Sequence, residues 1–236
     1  MNLGIKNLKV LVTAGAGGIG LEVARSFLAE GARLVLVDLR RESLEGSFGA
    51  EDERRLFAPA NLLEQAQAND AAKAALGRFG RIDVLCNLAG GFRMGEAVHE
   101  TTDKNWDFLF DINARTLLHA VRAVVPHMIE SGSGKIVNVG AFAAQKGLAG
   151  MGAYGAAKGA VIRLTEAMAA ELREKNINVN CVLPTIIDTP ENRAAMPDAD
   201  PSRWVGPEDL ASAIAFLASD GARAIHGAAL PVTALS

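Results

Sequence analysis

The sequence is short of most things that mark a specialised chain. Among 236 residues there are two cysteines, Cys86 and Cys181, each inside an apolar run and too few for a disulfide scaffold. They read as buried free thiols and point to a reducing, cytoplasmic setting. Neither sign of charge dominates: 24 Lys+Arg against 27 Asp+Glu leave a net charge of −3, with no electrostatic footprint for nucleic acid. No run approaches the ~20 apolar residues that span a bilayer. The start, 1–10, passes straight into a strand-like segment and does not read as a secretory leader. His99, His119, His127 and His226 are scattered, with no Cys or acid at ligand spacing, so no metal site is expected. Aromatic residues are only 5%, yet hydrophobic residues together reach 50%, which excludes disorder.

What is present is a regular alternation. Short apolar runs fall at 9–13, 33–37, 54–58, 82–87, 135–139, 178–183 and 228–232. Most are apolar throughout rather than alternating, as strands of a parallel sheet covered on both faces should be. Between them lie helical patterns at 19–30, 63–79, 103–130, 152–175 and 207–219. Pro207, Glu208 and Asp209 suit a first helical turn, where proline is tolerated and acids favour the dipole. Strand–helix–strand alternation implies right-handed crossovers, hence an α/β chain. The expectation is one Rossmann-type, doubly wound domain over 1–236, with a seven-stranded parallel sheet flanked by helices on both faces. There is no repeat or linker. The long irregular segment 184–206 holds Pro184, Pro190, Pro197 and Pro201, and is expected to cover a bound ligand.

After the first strand comes Thr13-Ala14-Gly15-Ala16-Gly17-Gly18-Ile19-Gly20, then a helix. Gly15, Gly17 and Gly20 satisfy GxGxxG, and Asp38 closes the second strand 18 residues later. Glycines let the backbone approach a pyrophosphate, and the helix start offers it free N–H groups and partial positive charge. Asp38 suits two ribose hydroxyls and repels a 2′-phosphate, favouring NAD(H). Arg40 and Arg41, just beyond, leave NADP(H) open. Asn61 follows the third strand and reads equally as an adenine contact or a turn residue.

Tyr154 and Lys158 stand four apart at the start of a helical segment, on one face. A nearby ammonium favours a phenolate, so the pair suits general acid–base work. With TAGAGGIG, Asp38, Asn87-Leu88-Ala89-Gly90 and Asn113, they make the chain resemble the short-chain dehydrogenase/reductase family over essentially its whole length. The resemblance implies that Tyr154 transfers the substrate proton, that Lys158 binds the nicotinamide ribose and lowers the phenol's pKa, and that Asn113 helps hold a relay water. It also implies cofactor contacts at Gly15, Gly17, Gly18, Ile19, Gly20, Asp38, Asn61, Asn87, Ala89, Gly90, Pro184 and Ile187, and a homodimer or homotetramer. The partner is then a small-molecule substrate, with neither nucleic acid nor membrane.

Three positions depart from the family pattern. Leu88 replaces an asparagine and Ala14 a glycine, both mildly. The third is chemical: thirteen positions before Tyr154, where the family has a catalytic serine, stands Ala141. Losing such an oxyanion donor costs about 2.7–4 kcal/mol. One branch of the family, the dihydropteridine reductases, has the same gap. The segments Gly140-Ala141, Gly150-Met151, Tyr154 to Val161, Val182-Leu183-Pro184, Asp188-Thr189-Pro190 and Met196-Pro197, with Trp204, resemble that branch. The expectation is reduction of a conjugated or quinonoid carbonyl or imine, with Ala141, Phe92 and Met151 facing the substrate. Phe92 reads as a flat surface for such a ring or as an ordinary core residue. The alternatives are a 3-oxoacyl or alcohol dehydrogenase with another donor for Ala141, and an NAD-binding sensor without turnover.

Overall fold

The computed structural model describes residues 3–236; the first two residues of the lysine-bearing start lie outside them. Seven strands, β1 (Lys9–Thr13), β2 (Arg33–Val37), β3 (Arg55–Phe57), β4 (Val84–Asn87), β5 (Gly134–Val139), β6 (Ile177–Pro184) and β7 (Ala229–Val232), form one sheet. The order is β3-β2-β1-β4-β5-β6-β7, and every pairing is parallel. Leu11 sits opposite Val35 of β2 on one side and Leu85 of β4 on the other. The chain therefore reverses its direction of winding at β1. The crevice beyond the carboxyl ends of β1 and β4 is where such sheets receive ligands.

Strand alternation distributes the core to two layers. Val10, Val12, Leu34 and Leu36 face α1 (Gly18–Ala29) and α8 (Pro207–Leu217), with Phe27 and Ile214 fully buried between. Leu11, Val35 and Val37 face the opposite layer, α3 (Gln65–Phe79), α5 (Thr116–Glu130) and α6 (Gly152–Leu172). Each buried Val, Leu or Ile contributes about 1.5–3 kcal/mol.

Three elements differ from the sequence reading. The expected helix 103–130 is broken: α4 (Asp103–Phe110) passes through a π-helical turn, Asp111–Arg115, into α5. Asn113 lies in that turn and is buried. A short helix α2 (Arg41–Phe48) was not foreseen, because only Leu44 of it is buried and no apolar stripe announces it. The segment 184–206 is less irregular than expected. It contains α7 (Pro190–Ala195), and a parallel bridge between Ile187 and Val205 ties its ends.

At the amino ends of the strands, Asp83 pairs with Lys9 and Arg81, and Lys135 donates to Asn178 Oδ1 (2.6 Å). Among the described residues no helix is long and apolar enough to cross a membrane. Cys86 and Cys181 are free and buried.

Candidate active site

The glycine turn folds back on itself. Gly15 N–H donates to Val37 O (3.0 Å) and Gly17 N–H to Ala14 O (3.1 Å). A Cβ at Gly20 would lie 2.0 Å from Ala14 O, so only glycine lets α1 seat against the turn. Ala14 itself takes φ +52, the left-handed region, where the family pattern has glycine. The replacement that looked mild carries a conformational cost of about 1–2 kcal/mol. Gly17 caps α1 without a side chain, and no acid stands in the first turn. Helix geometry leaves the N–H groups of Gly18, Ile19 and Gly20 without intrahelical acceptors, which fits an anion. The Asp38 carboxylate is oriented by N–H groups of Ala16 (3.1 Å) and Leu39 (2.8 Å) at the end of β2. Arg41 is engaged by Glu45 and Glu51, while Arg40 is exposed. Asn61 serves its own turn, its Oδ1 accepting from Leu63 N–H (3.0 Å).

The turn after β4 is anchored by a residue that sequence reasoning passed over. Thr13 Oγ1 accepts from Leu88 N–H (2.9 Å) and Ala89 N–H (3.1 Å), and donates to Cys86 O (3.4 Å). The available signal was a hydroxyl closing a strand that is apolar after Lys9. Asn87 Nδ2 donates to Asn138 Oδ1 (2.9 Å), and Asn138 in turn donates to Thr165 Oγ1 (2.8 Å). Asn87 Oδ1 has no hydrogen-bond partner among the described residues, although it is buried.

Gly90 joins the turn to the catalytic end. A Cβ there would come 2.9 Å from Asn113 Oδ1 and 3.2 Å from Lys158 Nζ, so the three positions converge. Asn113 is held by Gly91 on both sides: Oδ1 accepts from Gly91 N–H (3.1 Å), and Nδ2 donates to Gly91 O and Leu109 O (2.9 Å each). Lys158, 5% exposed, donates to Val139 O (2.8 Å). Burial lowers its pKa to about 8.

Tyr154 is half-buried against Leu109, Ala153 and Ala157, and burial pushes its phenol up to about 12. Lys158 Nζ is turned to Val139 O. At neutral pH the phenol is a proton donor. Phe92 meets Tyr154 edge-on, centroids 4.8 Å apart, yet is 54% exposed. It is not a core residue.

Ala141 lies just beyond β5, buried, with its carbonyl accepting from Ala144 N–H (3.1 Å). No hydroxyl side chain occurs between Val139 and Tyr154. Met151 precedes α6 and its carbonyl accepts from Gly155 N–H (2.7 Å). Pro184 ends β6 opposite Val232, and Ile187 is buried at the base of the 184–206 segment. Trp204 is buried at the end of the segment. Asp188 and Arg193 form a two-pronged ion pair (2.5 and 2.7 Å) within it.

Comparison with known proteins gives the same outline. A short chain dehydrogenase family profile matches residues 8–200. The chain is 34% identical, over 98% of its length and 96% of the relative's, to a (2S)-[(R)-hydroxy(phenyl)methyl]succinyl-CoA dehydrogenase subunit of Thauera aromatica. Carveol dehydrogenase of Mycobacterium avium, solved in complex with NAD, superposes with a TM-score of 0.88 at 28% identity, covering 97% of each chain. The 3-ketoacyl-(acyl-carrier-protein) reductase of Brucella melitensis, solved with NADH, gives 0.87 at 30% identity over 97% of this chain and 98% of that one.

Proposed function

The chain belongs to the short-chain dehydrogenase/reductase family, and we propose that it is an NAD(H)-dependent reductase of a conjugated or quinonoid carbonyl or imine, of the dihydropteridine-reductase kind. The observation that carries this reading is Ala141: a buried methyl in the serine's place, with no hydroxyl from there to Tyr154. An unactivated ketone needs a donor on its developing alkoxide, worth about 2.7–4 kcal/mol. A quinonoid or conjugated acceptor is already electrophilic and regains conjugation on reduction, so it needs a proton more than an oxyanion clamp.

The cofactor site follows from the residues. The amides of Gly18, Ile19 and Gly20 would hold the pyrophosphate, and Asp38 the adenosine ribose. Lys158 would hold the second ribose, while Asn87, Ala89, Gly90, Pro184 and Ile187 would frame the nicotinamide end. NAD(H) is favoured because a carboxylate at Asp38, held by two backbone N–H groups, would repel a 2′-phosphate, and Arg41 is committed to two glutamates. When bound, the dinucleotide supplies the reducing equivalent. Tyr154 gives its proton to the substrate heteroatom, a task suited to a phenol held protonated by burial. Lys158, with a pKa near 8, can return a proton to it. Asn113 fixes the turn at Gly91 so that Phe92 lies edge-on to Tyr154 and presents its face to a planar substrate.

A second reading, reduction of a 3-oxoacyl group, is favoured by the likeness to the Brucella melitensis reductase. One experiment separates the two: NADH oxidation with quinonoid dihydropterin, a conjugated diketone and a 3-oxoester, on the wild type and Ala141→Ser. The first two substrates should rank above the oxoester, and Ala141→Ser should raise oxoester reduction alone. An oxoester that ranks first in the wild type overturns the reading.

A further inference from the structure

We propose that the cleft beside Arg93 is a subsite for a carboxylate that the substrate carries at the end remote from its reacting carbon; this rests on the reductase reading above. The cleft is open, about 410 Å³, and is lined by Arg93, Met94, Glu96, Thr102, Lys104 and Asn105. Its lining begins one residue along the chain from Phe92. Phe92 lies on Tyr154, and the next residue lines the cleft. Gly95 N–H donates to Gly150 O (2.7 Å), pinning this stretch to the segment that leads into α6.

Two cations face the cleft, and neither forms an ion pair among the described residues. Arg93 is held ready: its guanidinium lies 3.6 Å from the centre of the Phe108 ring and reaches Asn105 Oδ1 (3.5 Å). A stacked guanidinium keeps its remaining N–H groups in a fixed fork, the shape a carboxylate takes in two-pronged fashion. Lys104 is on the first turn of α4, at the helix's positive end and beside Asp103. Glu96 is the opposing charge, and its Oε2 is already used by Asn105 Nδ2 (3.0 Å) and Thr102 N–H (3.3 Å). The cleft thus carries two cations against one carboxylate that pairs with neither, an excess of positive charge that a substrate carboxylate would balance.

The test uses a para-carboxyphenyl diketone and its methyl ester as substrates for the wild type, Arg93→Met and Lys104→Met. The acid should exceed the ester in kcat/KM by about tenfold, the size of one charge-assisted hydrogen bond. Added salt should shrink that ratio, and Arg93→Met should bring it close to one. An acid no better than the ester in the wild type, or a preference that survives Arg93→Met, overturns the subsite. If neither compound is reduced, the reaction reading fails by itself. Calorimetric titration of the acid into the protein with NADH then judges the subsite: binding lost in Arg93→Met upholds it, and equal or no binding overturns it.

Discussion

Tyr154 is the chain's single tyrosine, so its proton can be watched without interference. Burial holds the phenol at about 12, against an ordinary value of about 10. Ultraviolet difference absorbance of the ligand-free protein should therefore show almost no phenolate at pH 10; half-ionisation at or below pH 9 would refute the burial argument. The sign for stability follows, because the folded state keeps this proton longer than the unfolded chain. Its contribution is complete below pH 10 and is lost as pH rises toward 12. Tyr154, Lys158 and Asn113 were picked out as candidates by spacing and resemblance; the phenol's burial was not legible, since it depends on which side chains crowd it. Ala14 is similar. The substitution could be read in the sequence, whereas the left-handed backbone it must occupy could not.

Elements were legible in proportion to their apolar content. The strands stood out because most of their residues are apolar, five of the seven being buried nearly throughout, and the sheet has them within a residue or two of the expected positions. Helix α2 failed this test, with Leu44 its only buried residue. Helix α7 had a readable start, Thr189 then Pro190 and Glu191, and Thr189 Oγ1 does accept from Asn192 N–H (3.2 Å). The four prolines of 184–206 obscured that signal. The π-helical turn left no trace in periodicity, because the apolar stripe of α5 simply resumes after it. Beyond the backbone ladder, the Thr13 side chain joins the end of β1 to the turn after β4. Thr13→Val keeps the shape and strands two amides, so urea unfolding should show a loss of about 1–3 kcal/mol. Thr13→Ser should restore most of it. Equal stability of Thr13→Val and the wild type would mean that the turn holds itself.

At the scale of the whole molecule, a cofactor that binds only the folded state must raise the melting temperature. At a hundredfold excess over Kd it adds about 2.7 kcal/mol, or about 5–10 °C for a chain of this size. NADH should give this shift and NADPH a smaller one at equal concentration, because the Asp38 carboxylate repels a 2′-phosphate. Equal shifts, measured by scanning fluorimetry, would remove the preference. The doubly wound plan was the most legible feature of all, since it needs only the order of strands and helices. A parallel sheet also gives the molecule two unlike rims. Every residue named for chemistry lies at or beyond the carboxyl rim, whereas Lys9, Asp83, Lys135 and Asn178 maintain the opposite one. Thermostabilising engineering therefore has a safe workshop: changes made around Asp83 or Asn178 can harden the scaffold at the far side from turnover.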